Sequence, residues 1–275
     1  MNEVLKRAIT GAVFISLIIS GICFGAISTF AVFGLFCILG LHEFFKLFKN
    51  SKYPTLSLWY PTILGSLAYV AFLGPTLGWF SNTWFILIFP FVFSFFLIEL
   101  FKKDGEPLKN TGVYLIGMLY VLVPFILMNF INPKSLQGEV TSFWPLLGMF
   151  IIIWTSDTFA YLTGRKLGKR RLFERISPKK SWEGSVGGLI FALIAAAIIS
   201  YFDDSHGLLF WLASAPILAV FGTVGDLVES MMKRNLEVKD SGTILPGHGG
   251  ILDRFDAVLF AAPFLFTFYV LAEQF

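Results

Sequence analysis

Between Ser230 and Asp256 the chain reads S-M-M-K-R-N-L-E-V-K-D-S-G-T-I-L-P-G-H-G-G-I-L-D-R-F-D. Lys233, Arg234, Lys239 and Arg254 are interspersed with Glu237, Asp240, Asp253 and Asp256 around a Pro-Gly-His-Gly-Gly turn. Those residue types are the parts of a metal and phosphate site. Carboxylates such as Asp253 supply the hard oxygens that Mg²⁺ takes. Lysine and arginine neutralise phosphate oxygens. Gly247, Gly249 and Gly250 would let backbone N–H groups approach an anion with no Cβ in the way. Asp253 and Asp256 are three apart and share a face if the segment is helical. A charge run is more often a solvated loop with local ion pairs. This one stands in a chain that is 56% hydrophobic and 14% charged, where such a knot is out of place unless something charged binds.

Further acids lie inside apolar runs, at Asp157, Asp226 and Glu229. A charge at the centre of a bilayer costs about 2.5–3.5 kcal/mol on insertion scales, so such residues face a polar, protein-lined space. Asp226, Glu229 and Lys233 follow at i, i+3 and i+7 and share one helix face. Glu229 and Lys233 are spaced for an i,i+4 ion pair. Asp226 is then left without a partner, which favours a metal ligand, and Gly225 beside it would leave room for the ion. Asp157 has Tyr161 one turn away, so a tyrosine-oriented structural carboxylate and a functional one are equally good readings. Between Arg165 and Lys180 stand eight basic residues. Charge attraction to anionic headgroups, about 1 kcal/mol per residue near the surface, accounts for Lys169, Arg170 and Arg171.

The elements that must position these residues are membrane helices. Soluble domains carry about 25% charged residues, and a span needs roughly 20 mostly apolar ones. The sequence predicts an all-α polytopic membrane protein of about nine spans, near 8–25, 27–45, 58–74, 83–101, 112–131, 143–163, 185–202, 208–232 and 255–273. With the N-terminus in the cytosol, every one of the 21 Lys and Arg residues except Lys134 falls on the cytosolic side, as the positive-inside rule requires. That places the polar knot at the cytosolic ends of the C-terminal helices. The expected division is an N-terminal bundle of about five helices (1–142) and a C-terminal catalytic region of about four (143–275). The loop at 132–142 reads as a plain outer connection. His42 and Glu43 read as interfacial caps ending the second span, and Glu99 as an acid that snorkels or pairs with Lys102 or Lys103. Gly184, Gly187 and Gly188 would let helices pack closely. Cys23 and Cys37 sit in apolar runs, so neither a disulfide framework nor zinc chemistry is expected. The 33 Phe and 7 Trp suit lipid and interface rather than base stacking, and no nucleic-acid partner is expected.

The Ser230–Asp256 stretch resembles the signature of the phosphatidate cytidylyltransferase (CDP-diacylglycerol synthase) family. Ser230, Lys233–Arg234, Lys239–Asp240, His248–Gly249–Gly250 and Asp253–Arg254–Phe255–Asp256 stand where that pattern asks. Two further segments are similar to family motifs. One is D-T-F-A-Y-L-T-G-R-K-L-G-K from Asp157, where Phe159 replaces a residue that is usually Gly. The other is I-S-P-K-K-S-W-E-G from Ile176. The resemblance covers about 157–256. It implies an integral enzyme of a bacterial-type inner membrane that joins CTP to phosphatidic acid in the cytosolic leaflet, giving CDP-diacylglycerol and pyrophosphate with Mg²⁺. A second cation and a homodimer are left open. Asp226 and Asp253 are then the expected Mg²⁺ ligands and catalytic residues, with Asp157 as a third ligand and Lys233 and Arg254 as catalytic cations. Ser177, Lys179, Lys180, Arg234, Lys239, Asp240, His248, Gly249, Gly250 and Asp256 would bind substrate. His248 would either donate to a phosphate or shape the turn. The rival readings are a relative with another lipid acceptor, a transporter using the buried acids as an ion relay, and a non-catalytic polybasic lipid binder.

Overall fold

The computed structural model describes residues 3–131, 142–245, 247 and 249–272. His248 and residues 132–141 of the expected outer connection (132–142), Lys134 among them, lie outside them. The chain is built from α1 (Glu3–Cys23), α2 (Ala26–Ser51), α3 (Trp59–Leu73), α4 (Ile88–Phe101), α5 (Pro107–Gly117), α6 (Val123–Ile131) and α7 (Trp144–Leu167). After these come β1 (Arg171–Phe173), β2 (Ser177–Ser181), α8 (Trp182–Phe202), α9 (Leu208–Asn235) and α10 (Leu252–Ala272). A π-helical turn at Met118–Leu122 joins α5 to α6, so Pro107–Ile131 runs as one apolar rod.

Among the described residues, six helices are long and apolar enough to cross a membrane: Ala26–Ser51, Pro107–Ile131, Trp144–Leu167, Trp182–Phe202, Leu208–Asn235 and Leu252–Ala272. The three other expected spans are also helical: α1, whose apolar part is Arg7–Cys23, and the shorter Trp59–Leu73 and Ile88–Phe101. The fourth is the most changed. Its expected start is a 3₁₀ segment, Asn82–Leu87, and only 14 residues are α-helical, about 21 Å at 1.5 Å per residue. Pro90 lies in the first turn of α4, where its missing N–H breaks no helical bond.

The all-helical expectation is also corrected in the basic loop. Arg171–Phe173 and Ser177–Ser181 form an antiparallel hairpin, with Arg171 opposite Ser181 and Phe173 opposite Ser177. Two contacts close its base. The Trp182 N–H donates to the Arg170 carbonyl at 3.0 Å. The Glu183 carboxylate accepts the N–H groups of Lys169 and Arg170 at 2.9 and 3.2 Å. Ser181 then caps α8, its hydroxyl accepting the Gly184 N–H at 3.2 Å. Two polar residues of the S-P-K-K-S-W-E-G run are therefore accounted for by local structure.

The chain divides into two compact units. One holds the N-terminal helices as far as Asn129, together with Asn235–Arg254. Here α2 packs on α1, α3 and α5. A buried knot sits between α4 and α5: Glu99, 2% exposed, accepts from Lys102 at 2.5 Å, Tyr114 at 2.9 Å and Asn110 at 2.9 Å. Of the alternatives for Glu99, the pair with Lys102 is the one formed. The other unit holds α7, α8, α9 to Arg234, and the chain from Phe255. The small face of α8 seats directly on α7. A Cβ on Gly184 would stand 2.7 Å from the Ala160 carbonyl, and one on Gly188 2.7 Å from that of Ser156. Phe159 stacks on Phe191 of α8 with centroids 3.5 Å apart, so the aromatic ring at this position is taken up by helix packing.

Replacing Glu99 by Ala strips a buried ion pair of one partner. A fully buried pair would lose 3–5 kcal/mol; with Lys102 partly exposed, a loss on the order of 2–3 kcal/mol is expected. The readout is a lower melting temperature in detergent, with Tyr114→Phe giving a smaller drop.

Candidate active site

The second unit gathers acids and cations from four elements. Lys180, half-buried on β2, reaches Asp226 of α9 with Nζ 2.6 Å from Oδ2, and the same ammonium lies 3.4 Å from the Thr223 carbonyl. The Ser230 hydroxyl donates to Asp226 Oδ1 at 3.3 Å. Asp226 is therefore not the partnerless acid that its own helix implies: its cation comes from the hairpin, 46 residues earlier in the chain. Asp157, on α7, feels the charges of Lys180 and Asp226. Asp256, on α10, feels those of Asp226, Asp157 and Lys233. Glu229 and Lys233 make the expected i,i+4 pair at 2.7 Å. Gly225 serves helix contact, because a Cβ there would stand 2.5 Å from the Asp256 carbonyl. This glycine lets α10 approach α9 and so brings Asp256 near Asp226.

The two lysines of β2 differ in environment. Lys180 turns inward to Asp226, whereas Lys179 is exposed and Ser177 half-buried. Arg234, Lys239, Asp240 and Arg254 are also exposed.

Asp253 belongs to the first unit, where it has a different environment. Its Oδ2 accepts the Ser241 N–H at 3.1 Å, the Ser241 hydroxyl at 2.9 Å and the Gly250 N–H at 2.8 Å. Behind it lies Glu43 of α2, 2% exposed. Glu43 accepts the Ser241 hydroxyl at 2.5 Å and the N–H groups of Ile251 and Leu252, each at 2.9 Å. Reading Glu43 as an interfacial cap is thus corrected: it is a buried anchor for the start of α10.

The glycines of this loop take their reason from the same two acids. Gly247 and Gly249 have φ of 79° and 82°, which other residues rarely adopt. A Cβ on Gly249 would stand 2.6 Å from Asp253 Oδ2, and one on Gly250 would collide with Glu43 Oε1 and the Ser241 hydroxyl. Bare backbone is needed here for two internal carboxylates. Alongside runs a cleft of about 350 Å³ lined by His42, Glu43, Lys46, Asn50, Ser241 and Thr243 among others.

Among the described residues, no three His, Cys, Asp or Glu side chains form a ready metal-binding group. Asp157, Asp226 and Asp256 nonetheless bring carboxylate oxygens into one another's field, a donor chemistry that suits a hard divalent cation. The partner that Asp226 holds in this arrangement is Lys180.

A model of the cytidylyltransferase family matches residues 5–272. The chain belongs to this family. Among curated relatives of this cytidylyltransferase-family chain, a phosphatidate cytidylyltransferase of Bacillus subtilis is 34% identical over 97% of both chains. One of Staphylococcus haemolyticus is 37% identical over 74% of this chain and 77% of its own. One of Staphylococcus aureus is 50% identical over 60% of this chain and 61% of its own.

Two glycines one helical turn apart on α9 should respond differently to substitution. Gly222→Ala places its Cβ no closer than 3.7 Å to a neighbour and should leave the melting temperature within about a degree. Gly225→Ala drives a methyl into the α10 backbone and should lower it by several degrees, roughly 1–3 kcal/mol of overpacking. Thermal unfolding of the two purified variants in detergent compares them directly.

Proposed function

We propose that this chain transfers CMP from CTP to phosphatidic acid, giving CDP-diacylglycerol and pyrophosphate. The relatives' names support the reading, led by the full-length similarity to the Bacillus subtilis enzyme. The observation on this chain that carries it is the Lys180–Asp226 pair, set among Asp157, Asp256 and Lys233: cations for phosphate oxygens beside carboxylates for a metal.

Phosphatidate is a phosphate monoester with a second pKa near ~6, so at neutral pH its oxygen is already largely ionised and needs no general base. That oxygen forms a bond to the α-phosphorus of CTP. The bond from the α-phosphorus to the oxygen bridging the β-phosphorus breaks, and pyrophosphate leaves with the electron pair. The residues of the chain align and neutralise, which is most of catalysis in phosphoryl transfer. Lys180 and Lys233 offset charge on the phosphates, and the exposed Lys179, Arg234, Lys239 and Arg254 draw the anionic substrates in. Mg²⁺ fits the carboxylates of the second unit; Asp226 and Asp157 would hold it, with Asp256 nearby, and it would supply further charge neutralisation at the phosphates. Asp253, expected as a ligand, has its Oδ2 committed to Ser241 and Gly250. We place the nine helical segments among the described residues as spans of a bacterial inner membrane, with the N-terminus and the site on the cytosolic side, where soluble CTP meets a lipid of the inner leaflet. The orientation of the basic residues around the spans supports this placement.

Pyrophosphate release in detergent micelles should require CTP, phosphatidate and Mg²⁺ together. Release without phosphatidate, or none with folded protein, would sink the proposal. In the same assay Lys180→Met and Asp226→Asn should each lower turnover by about 100-fold or more. Their combination should be little worse than the poorer single variant, because the two side chains act as one unit. Multiplying losses would show that they act separately.

A further inference from the structure

A buried carboxylate in an apolar bundle is costly unless donors surround it. Glu43 has three, and all come from one segment: the Ser241 hydroxyl and the N–H groups of Ile251 and Leu252. Two of these are the unsatisfied amides at the N-terminus of α10, where a negative charge is also favoured by the helix dipole. The third, Ser241, lies 2.5 Å from Glu43 and 2.9 Å from Asp253. Its single hydroxyl proton serves one carboxylate at a time, so Glu43 and Asp253 are linked through it. Gly242 and Gly250 are shaped to the same group: a Cβ on Gly242 would stand 2.5 Å from Glu43 Oε2, and one on Gly250 would overlap Oε1. One side chain of α2 thus fixes both ends of the loop that Lys239 and Asp240 precede and Asp253 and Arg254 follow.

We infer that Glu43 is a positioning residue for the transfer reaction, holding the Ser241–Asp253 loop in the form that presents Asp253 and Arg254. This rests on the reading that the loop handles the phosphates of CTP. Glu43 touches no reacting atom. It acts through the backbone of residues 241–252, and the N-terminal helices thereby enter the catalytic device.

The test pairs a backbone readout with a kinetic one on full-length protein in detergent. Amide hydrogen exchange in peptides covering 241–252 should quicken by about tenfold or more in Glu43→Ala, while peptides of α7 and α8 stay unchanged. In the same variant kcat should fall by at least about 30-fold, with KM for phosphatidate moving less than about threefold. Glu43→Gln keeps the length and one acceptor oxygen, and should recover part of both. Gly250→Ala should be severe alone and add little in a background carrying both Glu43→Ala and Ser241→Ala, because both groups it collides with have then gone. If Glu43→Ala fails to fold, Ser241→Ala removes one donor and should show the same changes at smaller size. Unchanged exchange at 241–252, or faster exchange with unchanged kcat, overturns the inference. Wild-type protein that releases no pyrophosphate overturns the functional reading instead, and the exchange measurement still decides whether Glu43 holds the loop.

Discussion

An ionised carboxylate taken out of water has to be met by donors, and an apolar chain has few to offer. That constraint shapes both units of this protein. Glu43 meets it with main-chain amides at the start of a helix. Glu99 meets it with a lysine, a tyrosine and an asparagine drawn from α4 and α5. Asp226, more open than these two, is paired with a lysine delivered by a hairpin. Each solution ties together elements that hydrophobic contact alone would leave free to slide. In a membrane, where lipid tails are as apolar as a leucine face, such polar ties and the close approach of small residues do much of the work of fixing helices in register.

The helical framework was legible from hydrophobicity, because every expected span is a helix in the structure. Length was less so. Periodicity does not reveal that a run such as 83–101 opens with a 3₁₀ turn before Pro90. The Glu229–Lys233 pair was legible too, since i,i+4 spacing is a local property. The partner of Asp226 was not, because nothing local links residues 180 and 226. The hairpin was hidden by its basic composition, which reads equally well as a solvated loop.

The motif glycines show a subtler limit. Their order pointed to a ligand, and bare backbone beside a phosphate was a sound first reading. The structure supplies internal reasons for Gly249 and Gly250, namely the carboxylates of Asp253 and Glu43. A residue type that makes room says nothing about what fills the room, and here the filler comes from a helix about 200 residues away in sequence. The N-terminal helices, too generic to interpret by composition, contribute that buried anchor.

The hairpin carries a rule of length. Ser181 is both the last residue of β2 and the cap of α8, so no slack separates strand from helix. The ladder is irregular between its two paired positions, so Lys180 is placed chiefly by standing one residue before that cap. Gaining or losing a residue between Lys180 and Ser181 would move the ammonium off Asp226. Length variation is better absorbed at the Glu174–Ile176 turn, which lies outside the ladder. For this stretch, drift in length is constrained more tightly than drift in composition.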